Sequence, residues 1–422
     1  MWLAHEPLLH AISSASIARI SQFEMRDLGN TAWAFAPRSI GHSPLLDSIA
    51  AAARPRLSDS AARSSAAEAA TEVDILSLVQ AFATLDRLSP GLLLAAGVAL
   101  RRCGDTRDEA SAVAELAGGD AGYTSMGLAE PHLLMEQRRV CALWKPAGWA
   151  ATVAGADGGE PGDSRRSAPG GAGTEGTETG VTVGGADGSE WGDSEAEGGL
   201  LQMRRWLARE FGGHPIVRDA SASHGLVHRL DRDTSGALLW AKGYSGLYLA
   251  RLQFASRRIH KGYLCLVSGK MARGQQLLQM PLLEVVGTAG GLLRSTVDAR
   301  GRPARTELLA VAHFEGPDGH CVSLGQIRLH TGRMHQIRAH MSHEGHPLIG
   351  DALYGAGTVS WCSRMFLHAW KLALDLGDGP LRIEMPPPPD LLSVIASVKP
   401  LCEGGRAIID RWLKDAREQA KK

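Results

Sequence analysis

The chain has 422 residues, 44% of them hydrophobic, and its 45 basic and 45 acidic side chains cancel to a formal net charge of zero. That length allows two or three domains and at least one large core. No apolar run approaches the roughly 20 residues that span a bilayer, and the cysteines show no C-x-x-C pair, so the sequence offers no membrane helix, zinc ribbon or disulfide framework.

The six cysteines, Cys103, Cys141, Cys265, Cys321, Cys362 and Cys402, are widely scattered and read as buried thiols of a reducing compartment. The opening MWLAHEPLLHAI has neither the charged region and cleavage pattern of a secretory signal nor an arginine-rich presequence. Residues 1–130 are helical in pattern and weakly repetitive. Pro7-Leu8-Leu9 with Ile12 and Ile20-Ser21 returns 37 residues later as Pro44-Leu45-Leu46, Ile49 and Leu57-Ser58, and Ser43-Pro44 returns as Ser89-Pro90. A period near 37 is the size of one helix–turn–helix unit, which stacks on neighbours to bury its apolar side. The phrase LGNTAWAFA resembles the octotricopeptide-like helical pairs of organellar RNA-binding proteins. With only two to three copies visible, the region is expected to lean on the rest of the chain or on further repeats.

Residues 151–200 differ in kind. TVAGADGGEPGDS returns as TVGGADGSEWGDS thirty residues on, and the stretch holds ten acids against Arg165 and Arg166. Glycine and small polar residues offer too little apolar surface to offset chain ordering, which predicts a duplicated, disordered acidic insertion. From 201 the pattern changes again. Leu201 to Phe211 reads as a basic amphipathic helix, and Tyr263 to Val267 and Cys321 to Leu324 read as strands. After the proline run 386–389, Asp390 is placed to cap a helix, and Ile408, Ile409, Trp412 and Leu413 give residues 401–422 the apolar face of a last amphipathic one. Strands and helices without βαβ regularity predict an α+β domain over 131–400.

Within that span HGLVHRLDRDTSGALLWAK starts like a calcium loop, with Asp231, Asp233 and Ser235 at alternate positions and Gly236 at the sixth. Calcium needs a bidentate glutamate at the twelfth position, where this chain has Lys242, so that reading fails. The histidines His330, His335, His340, His343 and His346 lack the H-E-x-x-H spacing of a metal site, and no metal is expected. Residues 201–261 carry eleven Lys/Arg against four acids, which suggests a polyanionic partner around Asp231.

Four segments line up in order: Lys145-Pro146-Ala147-Gly148; His228-Arg229-Leu230-Asp231 with Thr234-Ser235-Gly236; HKGYLCLVSG with Tyr263; and TGRMHQIRAH, followed by Gly350-Asp351 and Tyr354-Gly355. The series closely resembles the RluA-type RNA pseudouridine synthases from about residue 138 to 390, with two departures. The insertion separates KPAG from HRLD by some 50 residues more than the family usually allows, and helical repeats stand where many relatives carry a small RNA-binding domain. The resemblance implies a largely antiparallel sheet and isomerisation of uridine in RNA without a cofactor. It makes Asp231 the reactive carboxylate, Tyr263 the residue stacking on the flipped uracil and Arg229 the filler of the space the base leaves.

A carboxylate inside a closed pocket needs a cation to stay ionised, and Arg333 is the expected partner, with Arg338 second. Lys145, His228, Thr234, His335 and Arg338 are the further expected RNA contacts. The partner would be tRNA, ribosomal RNA or an organellar RNA, bound by a monomer with no membrane association. The repeat likeness points to a mitochondrion or plastid over the cytoplasm. The alternative is a catalytically silent helical-repeat RNA-binding protein or RNA chaperone.

Overall fold

The computed structural model describes residues 6–36, 43–59, 65–113, 129–151, 202–272, 274–286, 293–355, 359–401, 403, 406, 407 and 410. The expected insertion and most of the expected C-terminal helix lie outside the described residues. The N-terminal part holds α1 (Glu6–Arg19), α2 (Met25–Phe35), α3 (Ser43–Asp59), α4 (Ser65–Thr84) and α5 (Pro90–Val113). Helices α1, α3 and α5 begin at or next to Pro7, Pro44 and Pro90, where proline's missing N–H costs nothing. The recurrence seen in the sequence therefore falls on helix starts. Leu45, Leu46 and Ile49 of α3 and Leu92, Ala96 and Ala99 of α5 are buried at helical spacing, giving each of these helices an inward face, while residues 78–83 of α4 are buried on every side.

The remainder is built on one sheet. Its strands are β1 (His132–Glu136), β2 (Val140–Lys145), β3 (Ser235–Ala241), β4 (His260–Ser268), β5 (Gln276–Leu278), β8 (Thr306–Glu315), β9 (Cys321–Leu329), β10 (Leu367–Asp375), β11 (Pro380–Glu384) and β12 (Lys399–Pro400). The order is β1-β2-β3-β10-β4-β9-β8-β12, with β11 on β10 and β5 on β8. Every pairing is antiparallel except β3 with β10, so the α+β class with a largely antiparallel sheet stands. A separate hairpin pairs β6 (Leu282–Val286) with β7 (Leu293–Val297). Between the strands lie α6 (Met203–Glu210), α7 (Tyr244–Ala255), α8 (Gln336–His343) and α9 (Pro389–Ser397). Asp390, expected as a cap, sits in the first turn of α9 behind Pro388, and its carboxylate takes Arg364 Nε at 2.5 Å instead.

The expected leaning of the helical part is visible at α7. One hydrophobic cluster runs without a break from Leu28 and Phe82 through Leu252 to Ile383. A Cβ on Gly104 of α5 would lie 2.3 Å from Ser245 Cα, so the two helices touch backbone to backbone. Four residues on, Asp108 accepts the first N–H groups of α7, from Tyr244 at 2.6 Å and Ser245 at 3.0 Å. Arg107 donates to Tyr248 Oη at 2.9 Å and to Asp219 at 2.8 Å, and Arg251 pairs with Glu72 at 3.0 Å. A helix whose N-terminus is satisfied from another segment depends on that segment being in place.

Candidate active site

Asp231 opens a tight turn that Thr234 N–H closes onto its carbonyl at 3.0 Å, and β3 starts directly after it. Gly236 in that strand has φ +137, and a Cβ there would lie 2.3 Å from Ala369 O, so only glycine allows β3 to approach β10 this closely. The turn is gripped from below by Lys145, which is 0% exposed. Its Nζ donates to the carbonyls of Pro146 at 2.9 Å, Arg232 at 2.9 Å and Thr234 at 2.7 Å. Burial pulls its pKa down to about 7 against the opposing pull of Asp231 and Asp233. Arg364 holds the same turn from the side, through Asp233 O at 3.0 Å and Ser235 Oγ at 3.0 Å.

The carboxylate of Asp231 is held at one oxygen. Arg338 Nη1 donates to Oδ2 at 3.3 Å, and Oδ1 has no hydrogen bond among the described residues. This corrects the expected pairing with Arg333, whose Nε donates to Pro303 O at 3.1 Å. The reason lies in the turn before α8. His335 takes a left-handed conformation with φ 50, and Gln336 Oε1 accepts from Arg333 N–H at 3.1 Å and from the Thr331 hydroxyl at 2.7 Å. The chain is thereby folded back before the helix begins, and Arg338, in its first turn, faces the carboxylate. Arg338 is itself gripped by Asp351, with Nε to Oδ2 at 2.7 Å and Nη2 to Oδ1 at 2.9 Å, over the ring of Tyr354 at 4.9 Å. Burial disfavours its charge, but Asp351 and Asp231 outweigh burial and hold the guanidinium above its ordinary value.

Tyr263 lies on β4, 7% exposed, and burial together with the charge of Asp231 raises its phenol well above the usual range. His335 faces Asp231 with its pKa lowered by burial, and its Nδ1 lies 3.2 Å from Tyr354 Oη. The side chain of Arg229 is half-buried and makes no hydrogen bond or ion pair among the described residues. Three expected RNA contacts have other work. Lys145 is buried beneath the turn, and Thr234 is 1% exposed with its carbonyl spent on that lysine. His228 Nε2 accepts Leu239 N–H at 3.0 Å, its ring lies against Phe254, and burial lowers its pKa to about 3.

Three more histidines hold structural hydrogen bonds: His330 with Glu307, His340 with Thr306 and Met280 O, and His346 with Ser268 O. Among the described residues no group of three or more His, Cys, Asp or Glu is disposed to hold a metal, and no helix is long and apolar enough to cross a membrane. Cys141, Cys265 and Cys362 are buried thiols, whereas Cys103 and Cys321 are only half-buried. Asp351 was legible only as part of a quoted motif, because its role rests on reaching a residue thirteen positions away.

Comparison with known proteins bears on this geometry. The RNA pseudouridylate synthase family matches residues 217–343, the stretch that carries Asp231, Tyr263 and Arg338. The tRNA pseudouridine synthase C of Pasteurella multocida is 34% identical over 192 residues, spanning 41% of this chain and 77% of that protein. The chain belongs to the RluA-type RNA pseudouridine synthase family. Among other members of the family, the ribosomal large subunit pseudouridine synthase C of Vibrio vulnificus is 34% identical over 182 residues, or 41% of this chain and 55% of that one. The chain spans about half the length of several of the curated pseudouridine synthases it matches. A solved structure, human RNA pseudouridylate synthase domain containing 1, aligns with 69% of this chain and 97% of its own, at 21% identity and a TM-score of 0.45.

Proposed function

We propose that this chain isomerises uridine in RNA to pseudouridine, with Asp231 as the reacting carboxylate. The observation that carries the reading is the Asp231 carboxylate itself: one oxygen held by Arg338, the other without a hydrogen bond among the described residues, and a buried tyrosine beside it. In the reaction the bond from C1′ to N1 breaks, the uracil turns, and a bond from C1′ to C5 forms. The C5 proton leaves and N1 gains one, so the product is an isomer and no oxidant is consumed. The free oxygen of Asp231 supplies either a nucleophile or a base at the sugar or the base ring. Tyr263, kept as a neutral phenol, stacks on the ring and carries a proton at the base. Extruding the nucleotide costs roughly a few kcal/mol, and the unpaired Arg229 beside the turn fills the vacated space.

The relatives' names refer to tRNA and to the ribosomal large subunit, so both classes belong in the test. Release of tritium from RNA labelled at C5 of uridine is expected with the wild-type chain and lost with Asp231→Asn. Turnover by that variant within tenfold of wild type would sink the assignment. A silent RNA-binding protein fits less well, since Asp231, Tyr263 and the cation on Asp231 are all in place. We further assign the helical part, which rests against the back of α7, a part in target choice rather than in chemistry.

A further inference from the structure

The guanidinium of Arg338 can meet a carboxylate edge-on through two parallel N–H groups, and only one of its partners receives that arrangement. Asp351 takes Nε at 2.7 Å and Nη2 at 2.9 Å, while Asp231 receives Nη1 alone at 3.3 Å. Asp351 is 1% exposed, and its Oδ1 also accepts the N–H groups of Leu353 at 3.1 Å and Tyr354 at 3.3 Å. Tyr354, whose ring underlies the guanidinium, is fixed in turn by its hydroxyl, which accepts Ser295 N–H at 2.8 Å and lies 3.1 Å from Ser295 O. The carboxylate of Asp351, the ring plane and the guanidinium therefore form one rigid unit, and Asp231 touches only its corner. Gly350, with φ +78 and no room for a Cβ against Arg364 O at 2.3 Å, sets the turn that brings Asp351 there.

We propose that Asp351 is a positioning residue, which by gripping the Nε–Nη2 edge of Arg338 fixes the guanidinium where Nη1 alone reaches Asp231 and so leaves one oxygen free to react. This rests on the isomerase reading above. A bidentate pair on Asp231 would be the stronger contact and would compete with substrate for the same lone pairs. Asp351→Asn tests the idea without emptying the site, because the amide keeps the shape and one acceptor for the two backbone N–H groups.

In a crystal structure of that variant, Arg338 is expected to turn its paired edge onto Asp231. The kcat for RNA labelled at C5 should fall roughly 10–100-fold, by analogy with loss of the partner that orients a metal ligand, with KM within about twofold. Asp351→Glu should recover part of the rate. An Arg338 that stays in place, or a kcat within twofold of wild type, overturns the proposal. If the wild-type chain leaves every RNA unmodified, the isomerase reading fails, and the position of Arg338 in the Asp351→Asn crystal still decides this one.

Discussion

Asp108→Ala tests whether the helical part and the sheet are one folding unit. The carboxylate of Asp108 accepts Tyr244 N–H at 2.6 Å and Ser245 N–H at 3.0 Å, and both residues are about 95% buried. Alanine leaves two buried donors without a partner, at about 1–3 kcal/mol each. Burial raises the pKa of Asp108, so its removal also relieves a desolvation cost that offsets part of the loss. The net expectation is a destabilisation of about 2–4 kcal/mol, within or slightly above the range of N-cap deletions elsewhere. That corresponds to a fall in Tm of roughly 2–5 °C for a chain this long. Thermal melting followed by circular dichroism, with urea titration as a second probe, reads it directly. Asp108→Asn should lie between wild type and alanine, since it keeps one acceptor. A melt within 1 °C of wild type, with Gly104→Ala equally silent, would show that the helical part rests on α7 without supporting it.

Lys145→Met should cost both activity and stability, because the carbonyls of Pro146 and Thr234 lose the donor that holds the Asp231 turn; full turnover in the variant would refute the grip. Arg229→Ala should lower kcat with an unchanged melting curve, as its side chain has no partner to lose among the described residues. Stability should decline as pH falls below 6.5. His368, 0% exposed, is held by burial at about 4, so the unfolded chain takes up a proton that the folded chain refuses, and stability drops by about 3 kcal/mol between pH 6.5 and 4. His228, lowered to about 3, adds to the same window, and urea midpoints at pH 7 and 4.5 measure the sum, with His368→Gln expected to flatten the slope. Deleting residues 152–196 should leave folding and turnover intact, since Ala150 and Gln202 on either side already form a bridge and Met203 N–H reaches Ala150 O at 2.9 Å. Loss of a cooperative melt would assign the segment a structural role.

Residue chemistry and short periods were legible without coordinates. Runs of apolar and β-branched residues placed β4 and β9, the returning prolines marked three helix starts, and HRLDRDTSG announced a carboxylate at a turn. What the linear order could not decide was which side chains meet. Arg333 and Arg338 are chemically alike and five positions apart. The left-handed turn at His335 and the hydrogen bonds of Gln336 point one at Pro303 O and the other at Asp231. Lys145 reads as a surface cation in isolation, and only the packing of β2 under the Asp231 turn buries it among carbonyls 87 and 89 residues away. Asp108 caps a helix 136 residues further on. Each of these depends on directions set by distant segments closing on one another, and that information exists only once the chain has folded.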